Sequence, residues 1–551
     1  MRKIIALLAA MLLLCSLTAC GTKETTNSAA STADSTTTTT DSTTTKNSTS
    51  TNKRGPSSAA GTTGTSFVLP TNGNWEKPVT INTAVLYNKQ TSSYDSKAET
   101  LRQSILGTKD TLKASNGGKT YYISYRGDDA NDGLSPQTPK KSPSFAANTA
   151  LFVAGDVVLF ERGGVYRDVS IVLKSGVSYG AYGNGAKPQL YGGDKNYADE
   201  ALWEKTSTNN VWRVTITQQT GKTAKEIEDI GNVIFDHGKI CASDGKELSM
   251  ASMDADYDFY YDAKKNQLYL YLSKGNPGKL HSSIEIAPNE HILQANGGTK
   301  DVTIENLCLK YTSAHGISCG AVSNIVVRGC EIGYIGGGML YAAARFGNGI
   351  EFFGNVSNCK VENNWIYQCF DAGYTNQGPS DKGSNTGWQT NLTVKNNLIE
   401  YCAYNIEVWT IKDAKRGGMK NCTFSENILR FAGYGFGSNR RMGSNTSAVG
   451  NISFYNYAIP CENVTIKNNV FDCSYRYVIS IAYPNDAQGR GPTITGNTWI
   501  QKPFKNSDTT ASVGQSYLSG AKQIYNCGTL DEMKTGVAIF DKAPKSVILE
   551  K

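Results

Sequence analysis

The segment Leu392-Thr393-Val394-Lys395-Asn396-Asn397-Leu398-Ile399 is one unit of a repeat that decides the fold. An apolar anchor, here Val394, is followed three positions later by an asparagine and five positions later by a second apolar residue. A polar residue that recurs in phase with apolar neighbours over a long period is typical of a stacked solenoid. The asparagines that share this offset in consecutive units are Asn364, Asn397, Asn427, Asn469 and Asn497.

Each unit contains three apolar positions and no helical periodicity. The anchors are Ile304, Val327, Val361, Val394, Phe424, Ile466 and Ile494. The second positions are Leu309, Ile332, Ile366, Ile399, Leu429, Phe471 and Trp499, and the third are Ile317, Ile350, Tyr374, Ile406, Phe436 and Ile479. Three short strands per turn, each stacked on its counterpart, predict an all-β parallel β-helix. The asparagines suit tight turns, because asparagine tolerates left-handed backbone and its amide can bond neighbours along the stack.

The N-terminal region predicts export rather than a folded domain. Residues 1–19 have a basic start, a short apolar run and Leu17-Thr18-Ala19 before Cys20, which together indicate a signal peptide. This ending resembles the bacterial lipobox, which implies lipid on the Cys20 sulfur and anchoring to the outer face of a bacterial membrane; ordinary secretion is the alternative. Residues 20–65 are rich in Ser and Thr and predict a disordered tether, since they lack apolar residues to bury.

Several further boundaries follow from composition. Residues 66–115 are a lead-in with one short helix around 98–106, and 116–193 begin the β-helix. Residues 194–290 break the pattern with alternating aromatics and predict an inserted β-rich subdomain. The main coils occupy 291–505, and 506–551 form a C-terminal cap or tail.

The net charge and the positions of the cysteines limit which ligands and partners we expect for this chain. The net charge of +7 shows no Lys/Arg stripe, so we expect no nucleic acid partner, and we expect a monomer. Most of the 13 cysteines fall within the repeats at apolar offsets, which indicates buried thiols, with a Cys369–Cys402 bridge as the alternative. No Cys/His spacing predicts a zinc site. The acidic turn 128–132 leaves calcium open as a ligand, although such turns are more often structural.

Three motifs carry a family resemblance. They are the Asn131-Asp132-Gly133 turn, the Gly155–Gly163 run GDVVLFERG and the turn Tyr182-Gly183-Asn184-Gly185-Ala186-Lys187-Pro188. Together with the stacked units, they resemble exported right-handed parallel β-helix proteins of the pectate-lyase-like superfamily over about 115–500. The resemblance implies a right-handed β-helix and carbohydrate as the substrate class. It leaves the reaction open, because that superfamily contains lyases, glycoside hydrolases, epimerases and non-catalytic binders.

The register predicts a cluster of carboxylates. Residues next to an inward position face outward, so the column beside the third apolar position reads Glu351, Thr375, Glu407 and Gly437. Asp371 precedes the same strand in the coil next to that of Glu407. We predict Asp371 and Glu407 as the catalytic pair, with Glu351 as a third acid that tunes their pKa.

Long inserts around these acids predict a walled groove. Candidate substrate-binding residues on or near them are Arg345, Asn376, Gln377, Trp409, Tyr434, Arg440, Arg441 and His315. Paired carboxylates with aromatic and amide neighbours favour glycoside hydrolysis on a plant or microbial polysaccharide or oligosaccharide, without a cofactor. A polysaccharide lyase acting on uronates and a non-catalytic carbohydrate-binding solenoid are the alternatives.

Overall fold

The structure is a computed structural model that describes residues 76–79, 81, 83–86, 88–217, 228–340, 344–378, 386–409, 415–437, 449–454, 459–503 and 511–550. The signal peptide, Cys20 and the tether predicted from the sequence lie outside these ranges, as do Arg440 and Arg441. Within the ranges, no helix combines the length and apolar character that crossing a membrane requires.

The chain is a right-handed parallel β-helix with three long sheets. Sheet 1 contains Thr120–Ile123, Val157–Glu161, Ser178–Tyr182, Lys300–Glu305, Ser323–Arg328, Lys360–Glu362, Thr393–Lys395, Thr423–Ser425, Thr465–Lys467 and Thr493–Thr495, with a side branch of Val356–Ser357, Gly387–Thr390, Gly417–Lys420 and Cys461–Glu462. Sheet 2 contains Val165–Tyr166, Gln189–Tyr191, Cys308–Thr312, Glu331–Ile335, Trp365–Cys369, Leu398–Glu400, Ile428–Ala432, Val470–Ser474, Thr498–Gln501 and Ser546–Leu549. Sheet 3 contains Ile171–Val172, Leu293–Ala295, Ile317–Gly320, Ile350–Phe353, Ala372–Gln377, Tyr404–Trp409, Gly450–Phe454, Tyr477–Ser480, Ser512–Ser516 and Gln523–Asn526.

The register predicted from the sequence is confirmed for the first two apolar positions of every unit. The third is confirmed from Ile317 to Ile406 but is wrong at Phe436. Ile452 pairs with Ile406 and then with Ile479, so the strand of this coil is Gly450–Phe454. Phe436 instead packs outside the helix beside Phe370. The error arose because a long insert separates this strand from Leu429, whereas Phe436 follows Leu429 at the spacing of seven or eight residues that most other units show.

The five phased asparagines form a continuous buried ladder. Each side-chain amide nitrogen donates to the amide oxygen of the next asparagine, at 2.9–3.0 Å. Each also donates to a main-chain carbonyl of the coil before, such as Val327 for Asn364. The ladder ends on Asp541, whose carboxylate accepts from Asn497 at 3.0 Å. Every polar atom of the ladder is thereby satisfied where no water can reach it.

The left-handed backbone is found one residue before each ladder position, and not at the ladder asparagines as predicted. Asn363, Asn396 and Asn468 have φ of 58°, 53° and 56°. A second ladder, which sequence reasoning missed, lies on the surface. It links Asn358, Asn391, Asn421 and Asn463 through side-chain hydrogen bonds of 2.8–3.2 Å.

The interior of the β-helix is apolar and contains the cysteines as thiols. The inward positions of the three sheets form one buried cluster, from Tyr121 at one end to Phe540 at the other. All described cysteines are free and buried, which confirms the preferred interpretation over a Cys369–Cys402 bridge.

Residues 194–290 contain two small antiparallel sheets inserted within one coil, and we call this segment the subdomain. The chain leaves the β-helix after Tyr191 of sheet 2 and rejoins it at Leu293 of sheet 3. One antiparallel sheet consists of Phe259–Asp262, Gln267–Tyr271, Val211–Thr215 and Glu204–Lys205, and the other of Ile240–Cys241, Ile230–Phe235 and Ile284–Pro288. The short helices are Glu200–Leu202, Asp236–Gly238, Ala242–Gly245, Met250–Ser252 and Pro277–Leu280. Together these elements enclose their own apolar cluster.

The lead-in covers the outer face of sheet 2. We call residues 76–111 the strap; it contains Thr83–Val85 and the helix Asp95–Leu106, which begins three residues before the predicted one. Its contacts pass from the second coil to the last and return: Val79 with Gln189, Ser93 with Glu550, Arg102 with Glu400, and Thr111 with Glu305. At the far end, the helix Leu530–Phe540 begins with a capping box of Thr529 and Glu532 and closes the core. A short 3₁₀ helix, Pro143–Ala147, lies near the first coils.

Candidate active site

The outer face of sheet 3 brings two glutamates into one column. Glu351 pairs with Thr375, and Thr375 pairs with Glu407 on the next coil. Because stacked strands lie about 4.8 Å apart, the two glutamate backbones are separated by about 9–10 Å. The predicted order of Glu351, Thr375 and Glu407 is confirmed, but the next member of the column is Ser453 and not Gly437.

Glu407 is held by two hydrogen bonds to one oxygen. Thr375 Oγ1 and Gln377 Nε2 both donate to Oε2, each at 2.9 Å. Only 2% of Glu407 is exposed, so a charge here depends on these donors. The carboxylate is therefore fixed by Oε2, and Oε1 is the oxygen available to a water or a substrate.

Glu351 lies in a different environment from Glu407. Asn348 Nδ2 lies 3.0 Å from Oε2, and His315 Nε2 lies 3.2 Å from the same oxygen. Burial raises the pKa of Glu351 from 4.5 to about 7, against the opposing effects of His291 and of the Asn348 hydrogen bond. With two donors on Oε2, the proton of the neutral acid belongs on Oε1.

Two stacked histidines orient this acid. The rings of His291 and His315 are 5.0 Å apart and tilted by 4°. The main-chain N–H of Asn348 donates to His315 Nδ1 at 2.9 Å, so in the neutral ring Nε2 carries the hydrogen and points it at Glu351. Burial and the neighbouring His291 hold the pKa of His315 well below its usual value. His315 thus donates to Glu351 as a neutral imidazole.

His291 was missed by sequence reasoning although a signal existed. His291-Ile292-Leu293 and His315-Gly316-Ile317 share one offset, and Leu293 pairs with Ile317. The coil that contains His291 directly follows the subdomain, and its register becomes visible only through that pairing. Asn348 occupies the same offset on the next coil, where its side-chain oxygen accepts from Ala372 N at 2.9 Å.

Asp371 lies at the edge of the site. It is buried and precedes the strand Ala372–Gln377, four residues before Thr375, the partner of Glu407. At about 3.3 Å per residue, this offset separates Asp371 from Glu407 by about 13 Å along the sheet. The register therefore favours Glu351 over Asp371 as the partner of Glu407.

Two residues predicted to bind substrate have other roles. Asn376 points into the β-helix, where it is fully buried and its Nδ2 donates to Gln389 Oε1 at 2.9 Å. The prediction was wrong because Asn376 lies two residues after the inward Tyr374 and so shares its face. Arg345 donates to the carbonyls of Gly337, Ser243 and Gly231 at 2.7–2.9 Å, which makes it a structural tie.

An aromatic column borders the carboxylates. Phe353 pairs with Gln377 and Gln377 with Trp409, so these side chains stand two residues beyond the glutamate column on the same face. Phe353 is 42% exposed, which is unusual for its type, and Trp409 is half-buried. Phe353 was not predicted. Tyr434 packs instead against Phe431 and Tyr475, beside sheet 2.

The acidic turn uses its carboxylates locally. Asp129 Oδ1 accepts from the main-chain N–H of Lys141 and Ser142, at 3.0 and 2.8 Å. Asp132 Oδ1 accepts from Leu134 N and Thr138 Oγ1. Within the described ranges, no group of three or more His, Cys, Asp or Glu side chains is arranged to hold a metal ion.

A cavity of about 380 Å³ lies between the strap and sheet 2, apart from the carboxylate column. Two ion pairs in its lining, Arg102 with Glu400 and Arg430 with Asp95, join the strap to the sheet. The cavity is therefore a gap beneath the strap.

No family model matches this chain, and no curated protein matches its sequence. Solved structures give weak matches. A complex of XylC with xylose is 11% identical over 72% of this chain and 71% of that chain, with a TM-score of 0.39. A glycoside hydrolase is 10% identical over 78% and 96%, at 0.37. An alginate lyase from Paenibacillus sp. is 12% identical over 68% and 94%, at 0.35. Similarity at this level assigns no function, and the fold rests on the chain's own strand pairing.

Proposed function

We propose that this chain is a glycoside hydrolase that acts on a polysaccharide or oligosaccharide, with Glu351 as the general acid and Glu407 as the general base. The observation that carries the proposal is the pair of outward glutamates two coils apart, in unlike surroundings. General acid–base catalysis needs one neutral and one ionised carboxyl at the same pH, and burial of Glu351 favours the neutral form of that acid.

The roles follow from the contacts. The pKa of Glu351, raised by burial to about 7, keeps it protonated in mildly acidic solution, with the proton on Oε1. That proton would pass to the glycosidic oxygen as the bond to the anomeric carbon breaks. Glu407, oriented through Thr375 and Gln377, would take a proton from the attacking water at its other oxygen.

The spacing favours inversion at the anomeric carbon. Inverting enzymes place their carboxyls about 6.5–9.5 Å apart to admit a water, whereas retaining enzymes need about 5–5.5 Å. A backbone separation of about 9–10 Å, with both side chains facing outward, suits the first arrangement. The aromatic column of Phe353 and Trp409 offers faces on which sugar rings can stack.

The test combines a glycan panel with matched variants. Glu351→Gln and Glu407→Gln should each lower kcat by at least about 100-fold on a glycan that the wild type cleaves. Asp371→Asn should lower kcat by a smaller factor. Glu362 is an acid on the outer face of sheet 1, and Glu362→Gln should leave kcat unchanged. If Asp371→Asn abolishes turnover while Glu351→Gln retains it, the catalytic pair is Asp371 with Glu407.

The products of the reaction distinguish a hydrolase from a lyase and from a non-catalytic binding protein. New reducing ends without an unsaturated uronate would support hydrolysis. An unsaturated uronate would instead identify a lyase, for which Arg345 is no longer an available neutralising group because its guanidinium binds backbone carbonyls. Binding of a glycan without turnover by any variant or by the wild type would identify a carbohydrate-binding solenoid.

We also propose that the enzyme acts at the cell surface, anchored through lipid on Cys20 and held off the membrane by the tether of residues 20–65. The sequence Leu17-Thr18-Ala19-Cys20 supports this location. In the native host, wild type should incorporate a radiolabelled fatty acid and Cys20→Ser should not. Equal labelling of the variant, or no labelling of the wild type, would contradict the lipid anchor.

A further inference from the structure

We propose that the inserted subdomain positions the general acid, through Arg345, which locks a groove-side hairpin so that Phe346 holds His315 against Glu351. The hairpin consists of Gly338–Leu340 and Ala344–Phe346. Arg345 would be a positioning residue. The inference rests on the proposed function to the extent that Glu351 is taken as the acid.

Arg345 joins the hairpin to the subdomain through four donated hydrogen bonds. Nε donates to Gly337 O at 2.7 Å within the hairpin segment. Nη1 donates to Ser243 O, and Nη2 donates to Gly231 O, both at 2.9 Å, with a further bond from Nη2 to Ser243 Oγ. The planar fork thus binds both segments at once, a geometry that an ammonium cannot reproduce.

The backbones of the two segments meet closely at this tie. A Cβ on Gly231 would lie 2.2 Å from Gly338 N, so no other residue fits there without displacing the hairpin. Asp229 Oδ2 accepts from Met339 N at 2.9 Å, and its other oxygen pairs with Lys246 at 2.6 Å. The subdomain therefore fixes the hairpin through main-chain contacts as well as through Arg345.

The last residue of the hairpin, Phe346, packs against the histidine that contacts the acid. The Phe346 ring meets the His315 ring edge to face, with centroids 5.0 Å apart and an angle of 82°. On its other side, His315 stacks on His291. Since the imidazole is enclosed between Phe346 and His291, its ring has one position, and that position directs Nε2 to Glu351.

The charged groups around Glu351 determine how its pKa should change when the hairpin is loosened. Glu351 faces His315, His291 and Glu407, with the Asn348 amide as a further donor. Asp371 lies on the adjacent coil, Glu290 lies two coils away on the other side, and Asp229 is paired with Lys246. If Phe346 withdraws, loss of the His315 donor raises the pKa of Glu351, whereas entry of water lowers it. Because burial is the largest cause of the raised pKa, the net shift is downward.

Kinetics of matched variants test the link. Arg345→Lys and Phe346→Leu should shift the high-pH limb of kcat/KM to lower pH by about half a unit to one unit, because that limb reports loss of the acid's proton. The control is Arg102→Lys, which removes another guanidinium tie, the one between the strap and Glu400. It should leave the limb in place. If Arg345→Lys lowers thermal stability as Arg102→Lys does and leaves the limb unmoved, Arg345 is merely structural and the proposal is overturned.

A measurement independent of turnover separates this inference from the proposed function. The chain has four histidines, so the ring C–H signals in ¹H–¹³C NMR can be assigned by single substitutions. The His315 signal should move in Arg345→Lys and Phe346→Leu and stay in Arg102→Lys. That result supports the link even if no glycan is cleaved. An unchanged His315 signal in Phe346→Leu, the milder variant, overturns it.

Discussion

His315 Nε2 lies 3.2 Å from Glu351 Oε2, and the two residues come from adjacent coils of the same sheet. The contact joins a neutral imidazole to a carboxyl that burial keeps protonated near neutral pH. A surface acid of a solenoid would ordinarily be solvated and ionised. The measurable properties of this site should therefore follow from its burial.

Glu351→Gln should make the protein more stable at pH 8 while abolishing activity. The pKa of Glu351 is raised by burial from 4.5 to about 7, so the folded state binds the proton more tightly than the unfolded state. The resulting stabilisation is complete below pH 4.5 and is lost as pH rises through 7. Relative to wild type, the variant should gain about 3 kcal/mol between pH 4.5 and pH 8, measured by denaturant unfolding.

The control for that experiment is Glu362→Gln on sheet 1. Its unfolding free energy relative to wild type should show no comparable rise between the two pH values. A flat difference for Glu351→Gln as well would mean that Glu351 is ionised in the folded state, and it would remove the argument for Glu351 as the acid.

Thr375→Val should lower kcat about tenfold with little loss of stability. The substitution keeps the shape of this fully buried side chain but removes the hydroxyl that donates to Glu407 at 2.9 Å. Thr375→Ser keeps the donor and should keep most of the activity. Equal activity of the valine and serine variants would show that the hydroxyl does not orient Glu407.

Phe353→Ala and Trp409→Ala should raise KM severalfold with kcat little changed, because stacking on a sugar ring contributes to substrate binding outside the reacting bond. Phe353 is 42% exposed, so its truncation should not change the unfolding temperature. The control is Leu518→Ala, a similarly exposed residue in the C-terminal region. If its KM changes as much as that of Phe353→Ala, the aromatic column has no specific role.

Asn427→Ala should destabilise the β-helix by at least about 3 kcal/mol in urea unfolding. It removes the acceptor for the main-chain N–H and for one side-chain N–H of Asn397, and the side-chain donor to the Val394 carbonyl. Asn421→Gly removes a rung of the exposed ladder but suits the left-handed backbone there, with φ of 54°. It should cost less than about 1 kcal/mol. Similar costs would indicate that burial does not distinguish the two ladders.

The sequence predicts the β-helix and most of its register because a solenoid repeats one local pattern. Val394, Asn397 and Ile399 carry that pattern, and their counterparts pair as expected. The prediction failed at Phe436, where a long insert interrupts the spacing. Asn376 was misplaced for another reason: strand alternation puts it beside Tyr374 in the interior, and a polar residue there is uncommon.

Only part of the candidate site could be predicted from the sequence. The column of Glu351 and Glu407 follows from strand alternation alone. His291 and Arg345 depend on the path of the inserted subdomain, which no repeat encodes. A structural tie to backbone carbonyls and a surface contact with substrate both use arginine, so the residue type could not separate them.

The strap has a consequence for how this protein can vary. Between Asp95, which binds Arg430, and Thr108, which binds Asn306, the strap passes five coils of sheet 2, which are separated by four steps. The 12-residue helix Asp95–Leu106 rises about 18 Å, and the four steps between coils rise about 19 Å. The length of the helix therefore matches the height of this number of stacked coils. Unlike an open solenoid, this chain cannot gain or lose one turn of the repeat without a compensating change near its N-terminus.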